Sequence, residues 1–212
     1  DAFLRSVLPG RARGAVARRG PIGLLVDPVG LHFDAEAPSL IETLVHAPGT
    51  QAQLQRARQG IARLIAADLS KYNAHLPQIA PSAAGYVLVI DQTRGDASLR
   101  GAGRADFLAM LEAARDENPG LPLVLRSHPE TARGLRPGHF SPADLRRGEV
   151  FCDGAVSPWA LLAGAARVYA FSSQLGYEAM LAGHRPRIFG RPYYAGWGLT
   201  DDQHPIPRRS PA

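Results

Sequence analysis

Two aspartates follow the apolar run "YVLVI" at residues 86–90. Asp91 comes directly after the run, and Asp96 comes five residues later, after Gly95. A carboxylate held near the anomeric carbon of a sugar can act as a base or as a nucleophile. Both acids could equally be turn residues, because an aspartate after a strand readily accepts hydrogen bonds from the following backbone. The sequence leaves these two interpretations open.

Polar residues also follow two later apolar runs. "LPLVLRS" (121–127) leads into His128 and Pro129, and "RVYAFSS" (167–173) ends at Ser172 and Ser173. Pro129 favours an extended His128, whose imidazole could donate to a phosphate oxygen. Serines at a strand-to-helix junction cap the helix, and the exposed amides beyond them bind anions. The plainer interpretation is an ordinary loop and an ordinary helix cap.

The elements that must position these residues alternate along the chain. "YVLVI", "LPLVLRS", "RVYAFSS" and "PRIFG" are predicted strands, separated by the predicted helices "ADFLAMLEAARDEN", "SPWALLAGA" and "QLGYEAMLAG". This alternation is typical of an α/β fold with a parallel, Rossmann-like sheet. Ligands of such sheets bind outside the carboxyl ends of the strands. The predicted strand ends are therefore expected to form one site.

The first part of the chain has a different pattern. Residues 22–34, "IGLLVDPVGLHFD", predict a short strand, and apolar residues spaced by three and four predict a helix over 51–69. The Pro/Ala/Ser stretch at 77–85 is the most plausible boundary between subdomains. We therefore predict two domains, residues 1–80 and residues 81–212.

Composition excludes several classes of protein. No apolar run reaches the roughly 18–20 residues that span a bilayer, and the single cysteine, Cys152, excludes an internal disulfide framework. The net charge of +5 comes from scattered arginines without an aromatic-interleaved patch, which argues against a nucleic-acid partner. Metal-binding spacings such as H-E-x-x-H are absent. We therefore predict no metal and no cofactor.

Six segments together resemble, in order and approximate spacing, the capsule polysaccharide biosynthesis proteins of the KpsC/LipB type. They are "DAFLRSV", "LSKYN", "VLVIDQTRGDAS", "SHPE", "SPWALLAGAARVYAFSSQLGYEAMLAG" and "PYYAGWGLTDD". The resemblance implies a retaining β-Kdo transferase that uses CMP-Kdo to extend a Kdo linker on a phospholipid. It also implies a two-Rossmann-domain (GT-B) architecture. Residues 81–212 would be its nucleotide-sugar-binding half, and residues 1–80 a remnant of an incomplete acceptor-side half.

The resemblance also implies roles for single residues. Asp96 looks like the catalytic carboxylate that forms a covalent Kdo adduct, and Asp91 is the alternative. The implied donor-binding residues are Gln92, Arg126, His128, Ser172, Ser173, Gln174, Glu178, Tyr194 and Trp197, with Arg126 standing where the family pattern has a lysine. Arg5, Lys71, Tyr72 and Asn73 are possible acceptor-side contacts.

The implied partners are the nucleotide sugar, a Kdo-lipid acceptor and the capsule export machinery. The implied place is the cytoplasmic face of a bacterial inner membrane, where the basic stretch "RARGAVARR" could contact anionic lipid. Two alternatives stay open: a related transferase for another CMP-activated acid sugar such as a sialic acid, and a non-catalytic nucleotide-sugar-binding module. A nucleic-acid binder is a more distant third.

Overall fold

A computed structural model describes residues 26–73, 75–76 and 84–211 of the 212 residues. Its centre is a six-stranded sheet in the order β3-β2-β1-β4-β5-β6, and all five pairings are parallel. The strands are β1 (Tyr86–Ile90), β2 (Leu123–Arg126), β3 (Val150–Cys152), β4 (Ala165–Ala170), β5 (Arg187–Ile188) and β6 (Asp201–Asp202). The predicted α/β fold with a parallel sheet is confirmed.

Helices connect and cover these strands. They are α1 (Leu40–Val45), α2 (Gln51–Ala66), α3 (Arg104–Asp116), α4 (Pro129–Ala132), α5 (Pro158–Gly164) and α6 (Gln174–Leu181), and short 3₁₀ turns lie at Ala97–Leu99 and Pro142–Asp144. α3 joins β1 to β2, α5 leads into β4, and α6 joins β4 to β5. Crossover helices of this kind allow neighbouring strands to run parallel.

The central strand β1 shows why the sheet is buried on both faces. All five of its residues are buried, as expected when helices cover each face. Leu88 and Ile90 belong to a core cluster that includes residues of α5 and α6. Val87 and Val89 belong to a second cluster with residues of α3. The two-residue period of the strand therefore divides one apolar run between two cores.

The strand order places a crevice beside β1. The chain winds from β1 through β2 to β3 on one side and continues from β4 to β6 on the other. This 3-2-1-4-5-6 order is that of dinucleotide-binding folds, in which ligands bind where the order reverses. The reversal lies between β1 and β4, next to Asp91 and Ser172.

Several element predictions need correction. Residues 26–34 contain no strand, because the Asp27 carboxylate accepts hydrogen bonds from the amides of Val29, Gly30 and Leu40 and folds the chain into a turn. The predicted helix 51–69 ends at Ala66. The strands β3 and β6 were not predicted. Residues 1–25 and most of the connector 77–85 lie outside the described residues, and the division at residue 80 stays a prediction.

Candidate active site

A cleft of about 450 Å³ opens where the strands end at their carboxyl termini. Residues following β1, β2, β3 and β4 line it, together with His32, Phe33 and residues 70–72 and 75. The predicted site residues in its wall are Asp91, Gln92, Asp96, Arg126, His128, Ser172, Ser173, Gln174, Glu178, Lys71 and Tyr72. Most of the set predicted from dispersed motifs therefore lies in one cavity.

Asp96 is linked across the crevice by a serine that was not predicted. Ser98 donates from its amide and its hydroxyl to Asp96 Oδ1, at 2.9 Å and 2.7 Å. The same hydroxyl lies 2.9 Å from Ser172 Oγ and accepts a hydrogen bond from Gln92 Nε2 at 2.9 Å. Gln92 Oε1 in turn accepts from the amide of Ser172. The network holds the carboxylate at the point where β1 and β4 diverge.

The Asp96 carboxylate is held in its ionised form. Burial acts to raise its pKa, but the hydrogen bonds from Ser98 and the positive charges of Lys71 and Arg136 outweigh burial. The net pKa of Asp96 lies below the usual value for an aspartate. A half-buried, ionised carboxylate can attack an electrophilic carbon or stabilise a developing positive charge.

Asp91 has a different environment and a structural task. Its side chain is 1% exposed and accepts the amides of Gln92, His139 and Phe140 at 2.8, 3.0 and 3.4 Å. Burial raises the pKa of Asp91 to about 6, although these hydrogen bonds oppose the rise. Gly138 packs so closely that an added Cβ would overlap the carboxylate. Asp91 therefore ties the 138–140 loop to the end of β1.

His128 is fixed as a neutral hydrogen-bond donor. As the N-cap of α4, its Nδ1 accepts the amide of Glu130 at 3.2 Å. Burial lowers the pKa of His128 to about 3, and the charge of Lys71 acts in the same direction. A neutral ring that accepts at Nδ1 carries its hydrogen on Nε2. Nε2–H is thus available to donate to an anion, in a ring packed edge-on against Tyr72.

Arg126 and Glu178 line the cleft but also hold its walls together. Arg126 Nη1 donates to the carbonyls of Cys152 and Gly154, which anchors the loop after β3. Glu178 is 1% exposed, and its two oxygens accept from the Ser70 hydroxyl and the Lys71 amide. Burial raises the pKa of Glu178, and these two hydrogen bonds oppose the rise. Glu178 therefore holds the Ser70–Lys71 segment against α6.

The start of α6 presents an anion-binding geometry. Ser173 caps the helix by accepting the amide of Leu175 at 3.2 Å. Gln174 accepts a hydrogen bond from the Tyr193 hydroxyl at 3.3 Å, and its Nε2 has no partner among the described residues. The Leu175 and Gly176 amides are already paired with Ser173, so the helix dipole and the unpartnered Gln174 Nε2 are what attract negative charge here. Ser172 and Ser173 stand directly before this turn.

Some predicted residues lie outside the cleft wall. Tyr194 is buried and donates to the Ser173 carbonyl at 2.7 Å, so it supports the α6 cap from behind. Trp197 is buried as well, and its indole donates to the Tyr193 carbonyl. Asn73 closes a turn with the backbone of Ser70. Arg5 lies outside the described residues.

Among the wall residues that the sequence analysis did not assign to the site are Ser98, Ser127, Tyr193 and His75, as well as His32, Ser70 and Asp153. Ser98 stands within the "GDAS" motif and Ser127 next to His128, so both had a signal in their position. Tyr193 directly precedes Tyr194, the tyrosine that the sequence analysis assigned to the donor site. His75 follows "LSKYN" but carries no motif of its own.

Two further features are absent from the part of the chain that the structure describes. It contains no cluster of three or more histidine, cysteine, aspartate or glutamate side chains suited to a metal ion. None of its helices combines the length and the apolar character needed to cross a bilayer.

Cys152 is a half-buried free thiol that packs against the core next to Arg126.

Comparison with known proteins places the chain among capsule proteins. Residues 55–212 match the family described as "Capsule polysaccharide biosynthesis protein". The "Capsule polysaccharide modification protein LipA" of Neisseria meningitidis serogroup A is 34% identical over 216 residues, which cover 97% of this chain and 30% of LipA. The "Lipopolysaccharide-processing protein LpsZ" of Rhizobium meliloti is 35% identical over 219 residues, which cover 99% of this chain and 49% of LpsZ.

Two solved structures are similar as well. The "beta Kdo 2,4 transferase" of Thermosulfurimonas dismutans KpsC superimposes with a TM-score of 0.85 and 36% identity, covering 100% of this chain and 66% of that one. The "beta Kdo 2,7 transferase" of the same KpsC gives a TM-score of 0.65 and 27% identity, covering 87% and 57%. The chain spans about a third to a half of the length of the curated relatives. By sequence match and by fold, the chain belongs to the capsule polysaccharide biosynthesis protein family.

Proposed function

We propose that this chain forms the donor-binding and catalytic part of a retaining glycosyltransferase that transfers Kdo from CMP-Kdo during capsule synthesis. The observation that carries the proposal is the ionised Asp96 carboxylate in the cleft, joined through Ser98 to Ser172 across the β1–β4 crevice. Such an acid beside an anion-binding helix start suits a donor that carries a phosphate and a sugar carboxylate. Similarity to the two Kdo transferases named above supports the choice of sugar.

In the first step, Asp96 attacks the anomeric carbon of Kdo. A bond forms between the carboxylate oxygen and that carbon, while the bond from the carbon to the phosphate oxygen breaks and its electrons leave with CMP. His128 Nε2–H donates to a phosphate oxygen and stabilises the departing charge. Lys71, whose charge acts on both Asp96 and His128, provides positive potential nearby.

In the second step, an acceptor hydroxyl attacks the same carbon. Its oxygen bonds to the anomeric carbon, the bond to Asp96 breaks, and the hydroxyl proton passes to the CMP phosphate or to water. Asp96 returns to its ionised form. Two successive inversions retain the configuration of the donor. No step requires a resident cofactor, and CMP-Kdo is a substrate.

The wider setting belongs to the same proposal. The acceptor is a Kdo-bearing lipid, and the enzyme works with the capsule export machinery at the cytoplasmic face of the inner membrane. The sheet described above would be one Rossmann-like half of a GT-B arrangement. Tyr194 and Trp197 then act on the donor indirectly, by supporting the α6 cap and the Tyr193 backbone.

Mass spectrometry of the protein after incubation with CMP-β-Kdo tests the proposal without an acceptor. The wild type is expected to gain one Kdo on the peptide that contains Asp96 and to release CMP. Asp96→Asn removes the charged nucleophile, so adduct and CMP release should fall on the order of 10³-fold or more. Asp116→Asn, at the exposed end of α3, is the matched control and should behave as the wild type.

Three outcomes count against parts of the proposal. If the protein binds CMP but releases no CMP from any CMP-activated acid sugar, a non-catalytic binding module is favoured. Adduct formation with CMP-sialic acid but not with CMP-Kdo would favour the related sialyl-type transferase. Full activity of Asp96→Asn would remove Asp96 from the catalytic role.

A further inference from the structure

His75 lines the cleft and has one ring nitrogen without a protein partner among the described residues. Its Nε2 lies 2.9 Å from Asp68 Oδ2, and its side chain is 8% exposed. A carboxylate only accepts hydrogen bonds, so Nε2 carries the hydrogen of this contact. Nδ1 is buried and makes no hydrogen bond to any described residue. In the neutral ring, Nδ1 is therefore a bare acceptor in a place where water has little access.

The imidazole is held in place from two directions. Asp68 is itself fixed, because its second oxygen accepts the Ser157 hydroxyl at the start of α5. On the other side of His75, the Leu76 amide donates to the Ala155 carbonyl at 2.8 Å. The ring orientation is thus set by the protein before any ligand binds, which is the arrangement expected of a residue that recognises a ligand.

The segment that carries His75 crosses the carboxyl-terminal edge of the sheet. At one end Ser70 contacts Glu178 in α6, and at the other end Leu76 contacts the loop after β3. His75 and the β3-loop residues Gly154 and Ala155 line the same cleft as the start of α6. A nucleoside monophosphate with its phosphate at α6 can therefore place its nucleoside against the β3 loop and His75.

We propose that His75 is a nucleoside-contact residue whose Nδ1 accepts a hydrogen bond from an N–H or O–H group of the bound nucleotide, with Asp68 as its positioning residue. The inference rests on the proposed function, because that function supplies CMP as the nucleotide. A cytidine offers two kinds of donor, the exocyclic amine of the base and the hydroxyls of the ribose. Both kinds can donate a hydrogen bond to the Nδ1 atom of His75.

Calorimetric titration with CMP, UMP and 2′-deoxy-CMP tests this contact. His75→Phe keeps an aromatic ring but removes the acceptor, and CMP binding should weaken by about tenfold or more. UMP lacks the amine and 2′-deoxy-CMP lacks one hydroxyl. A loss that weakens binding to the wild type but not to His75→Phe identifies the donor group. If neither loss does so while His75→Phe weakens CMP binding, the donor is the 3′-hydroxyl of the ribose.

Further variants separate recognition from folding. His75→Asn returns an amide oxygen near the position of Nδ1 and should recover part of the CMP affinity. Asp68→Ala should weaken CMP binding by a smaller factor, because the ring is present but no longer oriented. His204→Phe replaces an exposed histidine and should bind CMP as the wild type does. Thermal melting shows which variants are folded.

The outcomes distinguish this inference from the proposed function. A wild type that does not bind CMP overturns both. A wild type that binds CMP with the same affinity as folded His75→Phe overturns only the inference. Should His75→Phe not fold, wild-type affinity in Asp68→Ala overturns it instead.

Discussion

Ser98 links the proposed nucleophile to the opposite side of the crevice, and its hydroxyl can be removed without removing its amide. Ser98→Ala keeps the hydrogen bond from the backbone amide of residue 98 to Asp96. It loses the hydroxyl contacts at 2.7 Å to Asp96 and 2.9 Å to Ser172. A hydrogen bond to the ionised form lowers a pKa, so the pKa of Asp96 should rise in the variant. When the pH is lowered, activity that needs ionised Asp96 should therefore be lost at a higher pH in the variant than in the wild type.

The pH profile of CMP release measures this effect. The acid limb should move to higher pH in Ser98→Ala, with a maximal rate about tenfold lower because the carboxylate is less well oriented. Ser141→Ala is the matched control, since Ser141 also donates to an aspartate, Asp144, at a 3₁₀ turn but lies outside the cleft wall. An unchanged acid limb in Ser98→Ala would show that the hydroxyl does not tune Asp96.

Asp91 makes stability depend on pH in the opposite sense to most aspartates. Its folded-state pKa of about 6 lies above its ordinary value of 3.8 because burial penalises the charge. The folded state therefore binds the proton more tightly than the unfolded state, and stability falls as the pH rises from about 4 to about 6. The loss is about 3 kcal/mol, because each tenfold difference in proton affinity between the two states is worth roughly 1.4 kcal/mol.

Asp91→Asn isolates this contribution, because every other titrating group is shared with the wild type. Denaturant unfolding of both proteins between about pH 3.5 and about pH 7 gives the difference in their free energies of unfolding. We expect the wild type to lose about 3 kcal/mol relative to Asp91→Asn across that range. A difference that does not change with pH would mean that the pKa of Asp91 is not raised.

At the scale of elements, two helical glycines should respond in opposite ways to the same substitution. Gly60 lies within α2, and an added Cβ would meet nothing within 4 Å. Gly60→Ala should therefore stabilise the protein by about 0.5–1 kcal/mol. Gly176 lies in α6 against the Tyr194 hydroxyl, and its added Cβ would also come within 3.1 Å of Ala170. Gly176→Ala should cost about 1–3 kcal/mol through overpacking.

Thermal melting of the two alanine variants checks this pair, and CMP titration adds a functional reading. Tyr194 supports the Ser173 carbonyl at the α6 cap, so displacing it should also weaken CMP binding. Gly60 lies outside the cleft wall, so Gly60→Ala should leave the affinity for CMP unchanged. Equal effects of both substitutions on stability would contradict the tight contact between α6 and Tyr194.

The elements differ in how well sequence alone predicts them. The run at 86–90 and the helix at Arg104–Asp116 are long enough to show their apolar pattern, so both were predicted. β3 and β6 have three and two residues, too few for a period. β5 is as short as β6 but lies in the partly apolar stretch "PRIFG", whereas β6 consists of two aspartates. β3 and β6 are strands only because their neighbours offer backbone partners.

The candidate site shows the same limit at longer range. The motifs at the strand ends led to Asp96, His128 and Ser172, since parallel strands bring their carboxyl ends to one edge. Ser98 stands in the "GDAS" motif, but its contact with Ser172, 74 residues away, became visible only in the structure. His75 is oriented by Asp68, which Ser157 holds from 89 residues away. No local pattern encodes contacts of this kind.

For the whole molecule, a buried ion cluster joins the first described helix to the end of the chain. Glu42 in α1 accepts from Arg208 and from Arg209, and the Arg209 side chain is fully buried. Arg209 also donates to the carbonyls of Pro192 and Ala195, in the loop beside the cleft. The cluster therefore fixes α1, the carboxyl-terminal segment and the 192–195 loop relative to one another.

Glu42→Gln should be strongly destabilising, because it leaves the Arg209 charge buried without its counter-ion. Breaking a buried pair in this way costs about 3–5 kcal/mol in the free energy of unfolding, which denaturant unfolding measures. Glu112→Gln is the matched control, because Glu112 is half-exposed and pairs with Arg146 and Arg115. Arg115 keeps its partner Glu149 in the variant, so the loss should cost less than about 1 kcal/mol. Arg209 holds the 192–195 loop, and Tyr193 of that loop lines the cleft. Glu42→Gln should therefore also weaken CMP binding, whereas Glu112→Gln should not. Equal losses of stability in the two variants would mean that the α1 contact does not hold the fold together.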